Sequence, residues 1–265
     1  MSNSIDLSKS LNIHLRVIKA LVMREILTRY GRHNIGFLWL FIEPMLLTLG
    51  VTIFWHYTFQ NHGHGENISI TAFAVTGYSG VQLWRTTAGR CINSLLPNLS
   101  LLYHRNVGVL EIYFARIILE LAGATSAFVL MIVIFIGLEI MPPPEDLFKL
   151  MLGWILLGWF GAALGLNLGP ATEINELFDR IWHPISYLLF PLSGAMFLVD
   201  WLPSKVQSLA LWMPMISANE LIRSGYFGDV IDTHYDIVWL ISCNMFLTIT
   251  GMFLCGYVGQ RVEHE

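Results

Sequence analysis

Long apolar runs dominate this sequence and constrain its fold more than any other feature. A helix needs about 20 mostly apolar residues to cross the hydrocarbon core of a bilayer. Six stretches approach or exceed that length: 35–59, 68–94, 117–138, 150–172, 183–200 and 237–260. Only 13% of the residues are charged, about half the fraction of an average soluble domain. We therefore expect an all-α polytopic membrane protein with six transmembrane helices.

Lysine and arginine residues are distributed unevenly between the two sides of these spans. The side that holds both termini carries ten of them: Lys9, Arg16, Lys19, Arg24, Arg29, Arg32, Arg105, Arg116, Arg180 and Arg261. The opposite side carries three, Lys149, Lys205 and Arg223, while Arg85 and Arg90 fall inside the second span. Because cytoplasmic loops carry the excess of these residues, both termini are predicted to be cytoplasmic.

The segment 8–30, ahead of the first span, has the pattern of an amphipathic helix. Its apolar residues are three or four positions apart, which places them on one helical face: Leu11, Leu15, Ile18, Val22 and Ile26. A basic amphipathic helix next to a span is typical of a segment lying in the membrane interface. The alternative is a mobile basic tail that only sets the orientation of the chain.

One further apolar stretch, Val206 to Asn219, is too short to span and is interrupted by Pro214. Two short helices on either side of that break could enter the membrane from outside and return. We expect such a re-entrant hairpin over 203–228, although a loop on the external surface would also fit the spacing. Non-helical backbone is tolerated at membrane depth only where protein or water surrounds it.

Several kinds of chemistry are not supported by the sequence. No glycine is followed by lysine, so the phosphate-binding GxxxxGK[ST] loop is absent, as are HExxH and GxSxG. The net charge of −4 gives no indication of nucleic-acid binding, and three cysteines without a CxxC pair indicate neither a disulfide framework nor a metal site. His62 and His64 could bind a metal with His56, but a polar turn explains them more simply. We predict no catalytic residues, no metal site and no cofactor in this chain.

Charged residues inside the spans are the first candidates for function, because charge in a bilayer usually faces protein or water. They are Glu43, Arg85, Arg90 and Glu120. Each could form a structural ion pair, for example Glu120 with Arg116 one turn earlier, or face a hydrated path. Arg85 and Arg90 are about 140° apart around a helix and should have different partners. Aromatic residues are dense near the first and fifth spans, and most of them fit a role in packing or at the membrane interface. A minority could present ring faces to sugars, and those assigned to a substrate path are Trp39, Tyr187 and Phe190.

Glycine and proline residues mark the expected packing and bending points of the spans. Gly161, Gly165 and Gly169 form a strip along the fourth span that lets another helix approach closely, either within the subunit or across a dimer. Pro44 and Pro191 interrupt the backbone hydrogen bonds of the first and fifth spans. A kink at Pro191 could act as a gate or as a fixed bend, and Glu43 could brace the bend at Pro44 or face a substrate.

The stretch REILTRYGRHNIGFLWLFIEPMLL, residues 24–47, resembles the N-terminal signature of ABC-2 type exporter permeases. The family pattern, roughly RExxxRYxxxxLGxxWxxxxP, is matched at Arg24, Glu25, Arg29, Tyr30, Gly36, Trp39 and Pro44, with Ile35 in the leucine place. Segments 83–95, 103–120, 186–203 and 219–228 are also similar to the family, which extends the resemblance over nearly the whole chain. Within the family, the sequence most resembles the inner-membrane permeases of capsular polysaccharide export. Gly31-Arg32-His33 departs from residues that are common among relatives.

The resemblance implies a homodimer in the bacterial inner membrane, driven by a separate ATPase dimer that binds ATP and magnesium. It also implies a coupling segment at 95–111 that docks on the ATPase, with Pro97, Leu99, Leu102, Tyr103 and Arg105 as contacts; a plain turn is the alternative. The loop 172–180 is a second candidate contact. Periplasmic and outer-membrane export proteins are further implied partners.

Export of a lipid-anchored, anionic polysaccharide is therefore the leading functional hypothesis. The same fold could instead export lipid-linked O-antigen, a teichoic-acid-like polymer or a small drug. A membrane enzyme acting on lipid-linked sugars and a non-transporting anchor subunit are alternatives of other classes. An enzyme would need an acid, base or metal cluster that the sequence lacks.

Overall fold

The described part of the chain consists of α-helices joined by short connections. The computed structural model describes residues 7–31, 34–59, 68–102 and 107–264, and no β-strand occurs among them. The helices are α1 (Leu7–Tyr30), α2 (Asn34–Phe59), α3 (Ile70–Gly89), α4 (Leu99–Leu102), α5 (Val109–Gly137), α6 (Leu147–Ile174), α7 (Leu177–Leu192), α8 (Ser204–Ala210), α9 (Pro214–Phe227) and α10 (Ile237–His264). The predicted residues Arg32, His62, His64, Tyr103 and Arg105 lie outside the described ranges.

Three of the described helices are long and apolar enough to cross a membrane by length and composition. They are α5, α6 and α10, which cover the predicted spans 117–138, 150–172 and 237–260. In α2, a shorter apolar helical stretch runs from Phe41 to Phe54. α5 begins at Val109, so the end of the predicted coupling segment forms the first turn of this helix, where the Glu111 carboxylate accepts a hydrogen bond from the Gly108 amide.

α6 lies at the centre of the fold and packs against α3, α9 and α10. Its contact with α10 is supported by polar side chains that bond across the helices. Trp159 Nε1 donates to Thr248 Oγ1, Asn167 Nδ2 donates to the Leu247 carbonyl, and Asn244 Nδ2 donates to the Leu156 carbonyl. Such bonds hold helices together where an apolar solvent supplies little hydrophobic drive.

α1 coincides with the predicted helix 8–30, but a different face of it contacts protein. Leu21 is buried against α5 and the segment after α3, with Val17 and Val22 beside it, whereas Leu15 is exposed. The packed face also carries polar residues, including Glu25 and Arg29, whose side chains are 15% and 17% exposed. The pattern of apolar residues alone does not predict this packed face, because ion pairs bury part of it.

The fifth predicted span, 183–200, is not one kinked helix. α7 begins earlier, at Leu177, and ends at Leu192, one residue after Pro191. Ser193 Oγ donates to the Phe190 carbonyl at 2.7 Å, and Gly194 has a φ of +77°, a conformation that favours glycine. The chain then continues through a short 3₁₀ turn at Val199–Trp201. Pro191 thus marks the last turn of the helix and not a bend in its middle.

The second predicted span, 68–94, also contains a shorter helix than expected, because α3 ends at Gly89. The following residues form turns, and Asn93 has a φ of +51°. On the other side of the fold, α8 and α9 stand on either side of a break at residues 211–213, where Pro214 starts α9. A proline is well tolerated at this first helical position because its missing N–H has no partner there.

Candidate substrate groove and coupling segment

A groove of about 670 Å³ opens between α2, α3 and α7. Its polar lining includes Glu43, Gln82 and His183. Four of the five residues predicted for a substrate path also line it: Arg85, Arg90, Tyr187 and Phe190. The fifth, Trp39, lies on α2 but outside the groove, with half of its surface exposed. The structure thus brings together side chains that are about 100 residues apart in sequence.

Arg85 stacks on an aromatic ring instead of forming an ion pair. Its guanidinium carbon lies 4.2 Å from the ring centroid of Tyr187, within the range of a cation–π contact. None of the ion pairs found in the described part of the chain involves Arg85. The residue is half-buried and borders the groove, so its charge can interact with an anion that enters there.

Arg90 has different partners, both of them carboxylates. Its Nη2 lies 3.3 Å from Glu43 Oε1, and its Nε lies 3.7 Å from Glu120 Oε1. Glu43 therefore pairs with Arg90 and also lines the groove. The expected pair between Glu120 and Arg116 does not form; Glu120 pairs with Arg29 and Arg90, while Arg116 Nε lies 3.3 Å from Glu25 Oε1. α1 packs on α5 and brings Glu25 next to Arg116 and Arg29 next to Glu120. The two residues of α5 therefore pair with α1 and not with each other.

One face of α7 supplies groove residues that the sequence analysis did not select. These are His183 and Ser186, which recur at helical spacing with the predicted Tyr187 and Phe190, and all four line the groove. Trp182 also lines it and is buried. The ring of Phe190 meets Tyr78 of α3 edge to face, at 5.7 Å between centroids. The spacing of His183 and Tyr187 was a readable signal, since polar and aromatic residues four apart share a helix face.

The predicted coupling segment 95–111 contains two short helical turns. A 3₁₀ turn covers Leu96–Asn98 with Pro97 at its start, and α4 follows at Leu99–Leu102. Leu96 and Leu99 are 69% and 41% exposed, so apolar side chains point away from the rest of the subunit.

The inner side of the segment is held by buried polar contacts. Asn98 is buried and donates to the Ser94 carbonyl at 2.8 Å, while its Oδ1 accepts from Arg24 Nη1 of α1 at 2.5 Å. The predicted loop 172–180 is mostly helical, since α6 ends at Ile174 and α7 begins at Leu177. Glu173, in the last turn of α6, touches the coupling segment, because its Oε1 accepts from the Leu95 amide at 3.3 Å. The sequence analysis missed Asn98, because it considered only the residues of this segment that could contact an ATPase. In the described residues, no group of three potential metal ligands is present.

Comparisons with known proteins identify the family to which this arrangement belongs. Residues 16–227 match the family model described as "ABC-2 type transporter". The chain belongs to the ABC-2 type transporter family. It is 42% identical over 257 residues to the capsule polysaccharide export inner-membrane protein BexB of Haemophilus influenzae, covering 97% of this chain and 96% of the relative. CtrC of Neisseria meningitidis serogroup B, with the same descriptive name, gives the same identity and coverage. The polysialic acid transport protein KpsM of Escherichia coli is 26% identical over 229 residues, 82% of this chain and 85% of the relative.

In this ABC-2 chain, the glycine strip of α6 packs inside the subunit. A Cβ atom added at Gly161 would lie 2.7 Å from Trp84 Cα, and one at Gly165 would lie 2.8 Å from Cys91 Sγ. At Gly169 the nearest atom, 2.3 Å away, belongs to the ring of Tyr113 on α5. Of the two roles considered for the strip, the structure places these three residues in close contacts within one subunit.

A buried arginine and a buried glutamate of α9 hold the connection between α7 and α8 in the ABC-2 fold. Arg223 of α9 is fully buried and donates to three backbone carbonyls, those of Gly194, Ala195 and Phe197. Its guanidinium also stacks on the ring of Phe73 at 3.7 Å. Glu220, one turn earlier, accepts from the amides of Val199 and His234. The sequence analysis counted Arg223 only as an external charge; its spacing with Glu220 in an otherwise apolar stretch was the missed signal.

Proposed function

We propose that this chain is the membrane permease subunit of an ATP-powered exporter that moves lipid-anchored capsular polysaccharide out of the cytoplasm. The observation that carries the proposal is the 42% identity to capsule polysaccharide export inner-membrane proteins over 97% of the chain. The more distant relative named for polysialic acid transport supports the same class of cargo. The groove lined by arginine and aromatic side chains suits an anionic glycan.

The proposed topology has six crossings, made by α2, α3, α5, α6, α7 and α10, with both termini in the cytoplasm. α7 has 16 residues, about 24 Å at 1.5 Å per residue, which is shorter than the hydrocarbon core of about 30 Å. Most of the segment that continues it is buried in protein, with Ser193 and Val199 fully inaccessible and three of its carbonyls bonded to Arg223, whereas Met196 is exposed. This is the condition under which non-helical backbone is tolerated at membrane depth. We therefore assign α8 and α9 to an external re-entrant hairpin.

The proposed assembly is a homodimer of this subunit with a homodimer of a separate ATPase that binds ATP and magnesium. The exposed apolar turn at Leu96 and Leu99 supports 95–111 as the docking segment, because such side chains fit a cleft on a partner. Periplasmic and outer-membrane export proteins would receive the polymer. α1 would lie at the cytoplasmic membrane interface, where exposed Met23 and Leu27 could contact lipid beside Arg16 and Lys19.

In the proposed mechanism, the groove admits the charged part of the substrate beside the apolar surface of α2 and α7. Arg85, fixed against Tyr187, offers a cation whose charge no carboxylate neutralises in the described structure. The ring faces of Tyr187 and Phe190 offer apolar surface on which sugar rings can move without a fixed hydrogen-bond register. ATP-driven movement of the partner would alternately open and close this path.

Deletion of the gene, followed by location of the polymer, tests this proposal. We expect one polysaccharide to accumulate inside the cell with its lipid terminus attached, and a plasmid copy to restore it to the surface. A polymer of altered chemical composition, exported normally, would instead indicate an enzyme of glycan assembly. Normal composition and normal surface display in the deletion strain would contradict the export proposal.

A further inference from the structure

α1 is bonded to both ends of the coupling segment. At one end, Arg24 Nη1 of α1 donates to Asn98 Oδ1 at 2.5 Å, and Asn98 is itself buried. At the other end, His14 Nδ1 lies 2.6 Å from Glu111 Oε1, whose second oxygen accepts from the Gly108 amide. A displacement of the coupling segment therefore cannot occur without a response from α1 or the loss of these contacts.

The next residue of α1, Glu25, begins a cluster of charged residues on a neighbouring face of the helix. Glu25 lies 3.1 Å from Arg29 and 3.3 Å from Arg116 of α5, and Arg29 pairs with Glu120 of α5. The side chains of these four residues are only 11–17% exposed. Because little water reaches them, none can lose its partner cheaply.

Glu120 connects this cluster to the groove. The same carboxylate oxygen that pairs with Arg29 lies 3.7 Å from Arg90 Nε, and Arg90 in turn contacts Glu43 at 3.3 Å. Arg90 and Glu43 are 43% and 42% exposed and line the groove. Three arginines and three glutamates thus form a charge-balanced series that runs from α1 through α5 and α3 to α2.

We propose that Glu120 is a positioning residue that couples the ATPase-facing segment to the groove, a role that rests on the function proposed above. Glu120 contacts both Arg90 and Arg29. The position of Arg90 therefore depends on the position of Arg29 and of the helix that carries it, α1. When the coupling segment displaces α1, Glu120 follows Arg29, Arg90 shifts relative to Glu43, and the groove between α2 and α3 changes width. α1 packs mainly on α5 and makes a smaller direct contact with α2. The series of charges adds a second connection to α2, through Glu120, Arg90 and Glu43.

Glu120→Gln tests the proposal, because it keeps the shape of the side chain and removes the charge shared by Arg29 and Arg90. The matched control is Glu139→Gln, in the exposed turn after α5. Each full-length variant is purified with its ATPase partner in lipid nanodiscs, and ATP hydrolysis is measured. Spin labels at Leu46 of α2 and Leu188 of α7, both exposed, report the distance across the groove with and without trapped nucleotide. In cells, surface polysaccharide labelled from radioactive glucose gives the export rate.

We expect Glu120→Gln to keep ATP hydrolysis within about twofold of the wild type while surface polysaccharide falls at least fivefold and the nucleotide-dependent distance change disappears. Glu120→Asp, which retains the charge, should restore part of both. If Glu120→Gln behaves as Glu139→Gln in all three measurements, Glu120 has no positioning role. A purely structural role would instead lower protein yield and ATP hydrolysis together.

If Glu120→Gln does not accumulate, Arg24→Gln keeps the test decisive. It breaks the bond to Asn98 while leaving Glu120, Arg90 and Glu43 in place, and should uncouple hydrolysis from export in the same way. Wild-type export and distance change in Arg24→Gln would overturn the proposal. Failure of the wild-type chain to export any polysaccharide would instead contradict the proposed function, so the two failures are distinguishable.

Discussion

The substitution Gly161→Ala should destabilise the subunit, although alanine is the better helix former. The added Cβ would lie 2.7 Å from Trp84 Cα and 3.1 Å from the Trp84 carbonyl oxygen. These are backbone atoms, so no side-chain rotation relieves the clash, and α3 and α6 must separate by about 0.7 Å to reach an ordinary contact of 3.4 Å. Overpacking of this kind costs about 1–3 kcal/mol, and the helix propensity of alanine offsets about 0.5–1 kcal/mol. We expect a net loss of up to about 2.5 kcal/mol, with a central value of about 1 kcal/mol.

The assay measures unfolding of the purified subunit in mixed micelles as the fraction of a denaturing detergent is raised. Tryptophan fluorescence reports the fraction of unfolded protein. Gly256→Ala on α10 is the matched control, because nothing lies within 4 Å of its added Cβ. That variant should be as stable as the wild type or slightly more so. If Gly161→Ala gains stability by the same amount as Gly256→Ala, the close contact between α3 and α6 is wrong.

Gly165 offers an internal check on the same reasoning. The added Cβ at Gly165 is opposed mainly by a side-chain atom, Cys91 Sγ at 2.8 Å, with the Thr87 carbonyl at 3.3 Å. Cys91→Ala should therefore recover part of the loss in Gly165→Ala, and a double-mutant cycle should give a coupling of about 0.5–2 kcal/mol. The same cysteine substitution should give no recovery in Gly161→Ala, since the opposing atoms there belong to the backbone of Trp84.

Three further substitutions separate transport from stability. Arg85→Gln should keep the free energy of unfolding within about 1 kcal/mol of the wild type, because the lost contact with Tyr187 is a half-exposed cation–π pair. It should nevertheless reduce surface polysaccharide several-fold. Equal surface polysaccharide in Arg85→Gln and the wild type would show that Arg85 does not contact the substrate. Leu99→Glu should prevent co-purification of the ATPase without changing stability, since this side chain is 41% exposed; unchanged co-purification would argue against docking at this turn. Arg223→Met should lower the membrane level of the protein strongly, because it leaves three carbonyls without a donor, a loss of about 1–3 kcal/mol for each one that stays unsatisfied. Near-normal levels in quantitative immunoblots would contradict that expectation.

The apolar runs predicted the long helices well because length and hydropathy alone decide whether a segment suits a bilayer. α5, α6 and α10 carry few charges, so nothing in them competes with the helical pattern. The ends of α3 and α7 could not be read in the same way. Both stop before the apolar run stops, at Gly89 and Leu192, because local backbone bonding and the turns at Asn93 and Gly194 end the helices. The apolar run continues through such turns, since the residues after them are also buried and apolar.

The groove was partly predictable, because a charge within an apolar run is a conspicuous feature. Arg85 and Arg90 could be selected on that ground, and Tyr187 and Phe190 for their position near the fifth span. The sequence does not reveal which acidic and basic side chains form ion pairs with each other. Glu120 has an arginine one turn away in its own helix, yet it pairs with Arg29 and Arg90 from two other elements. Pairing across elements depends on packing, which no spacing within one helix reveals.

The same limitation explains why α1 was assigned to the membrane surface alone. A helix at a membrane surface turns its apolar face toward the lipid, and that rule selects the side with Leu11, Leu15 and Ile18. α1 instead packs on α5 with the side that carries Leu21, Glu25 and Arg29. Such a face is stable only because Arg116 and Glu120 of α5 match its charges, so the preference belongs to the pair of helices and to neither one separately. A buried polar face between two helices gives up stability relative to an apolar one. In an exporter, such a face would transmit a displacement more specifically than an apolar face, because apolar side chains can slide past one another whereas paired charges must keep their partners.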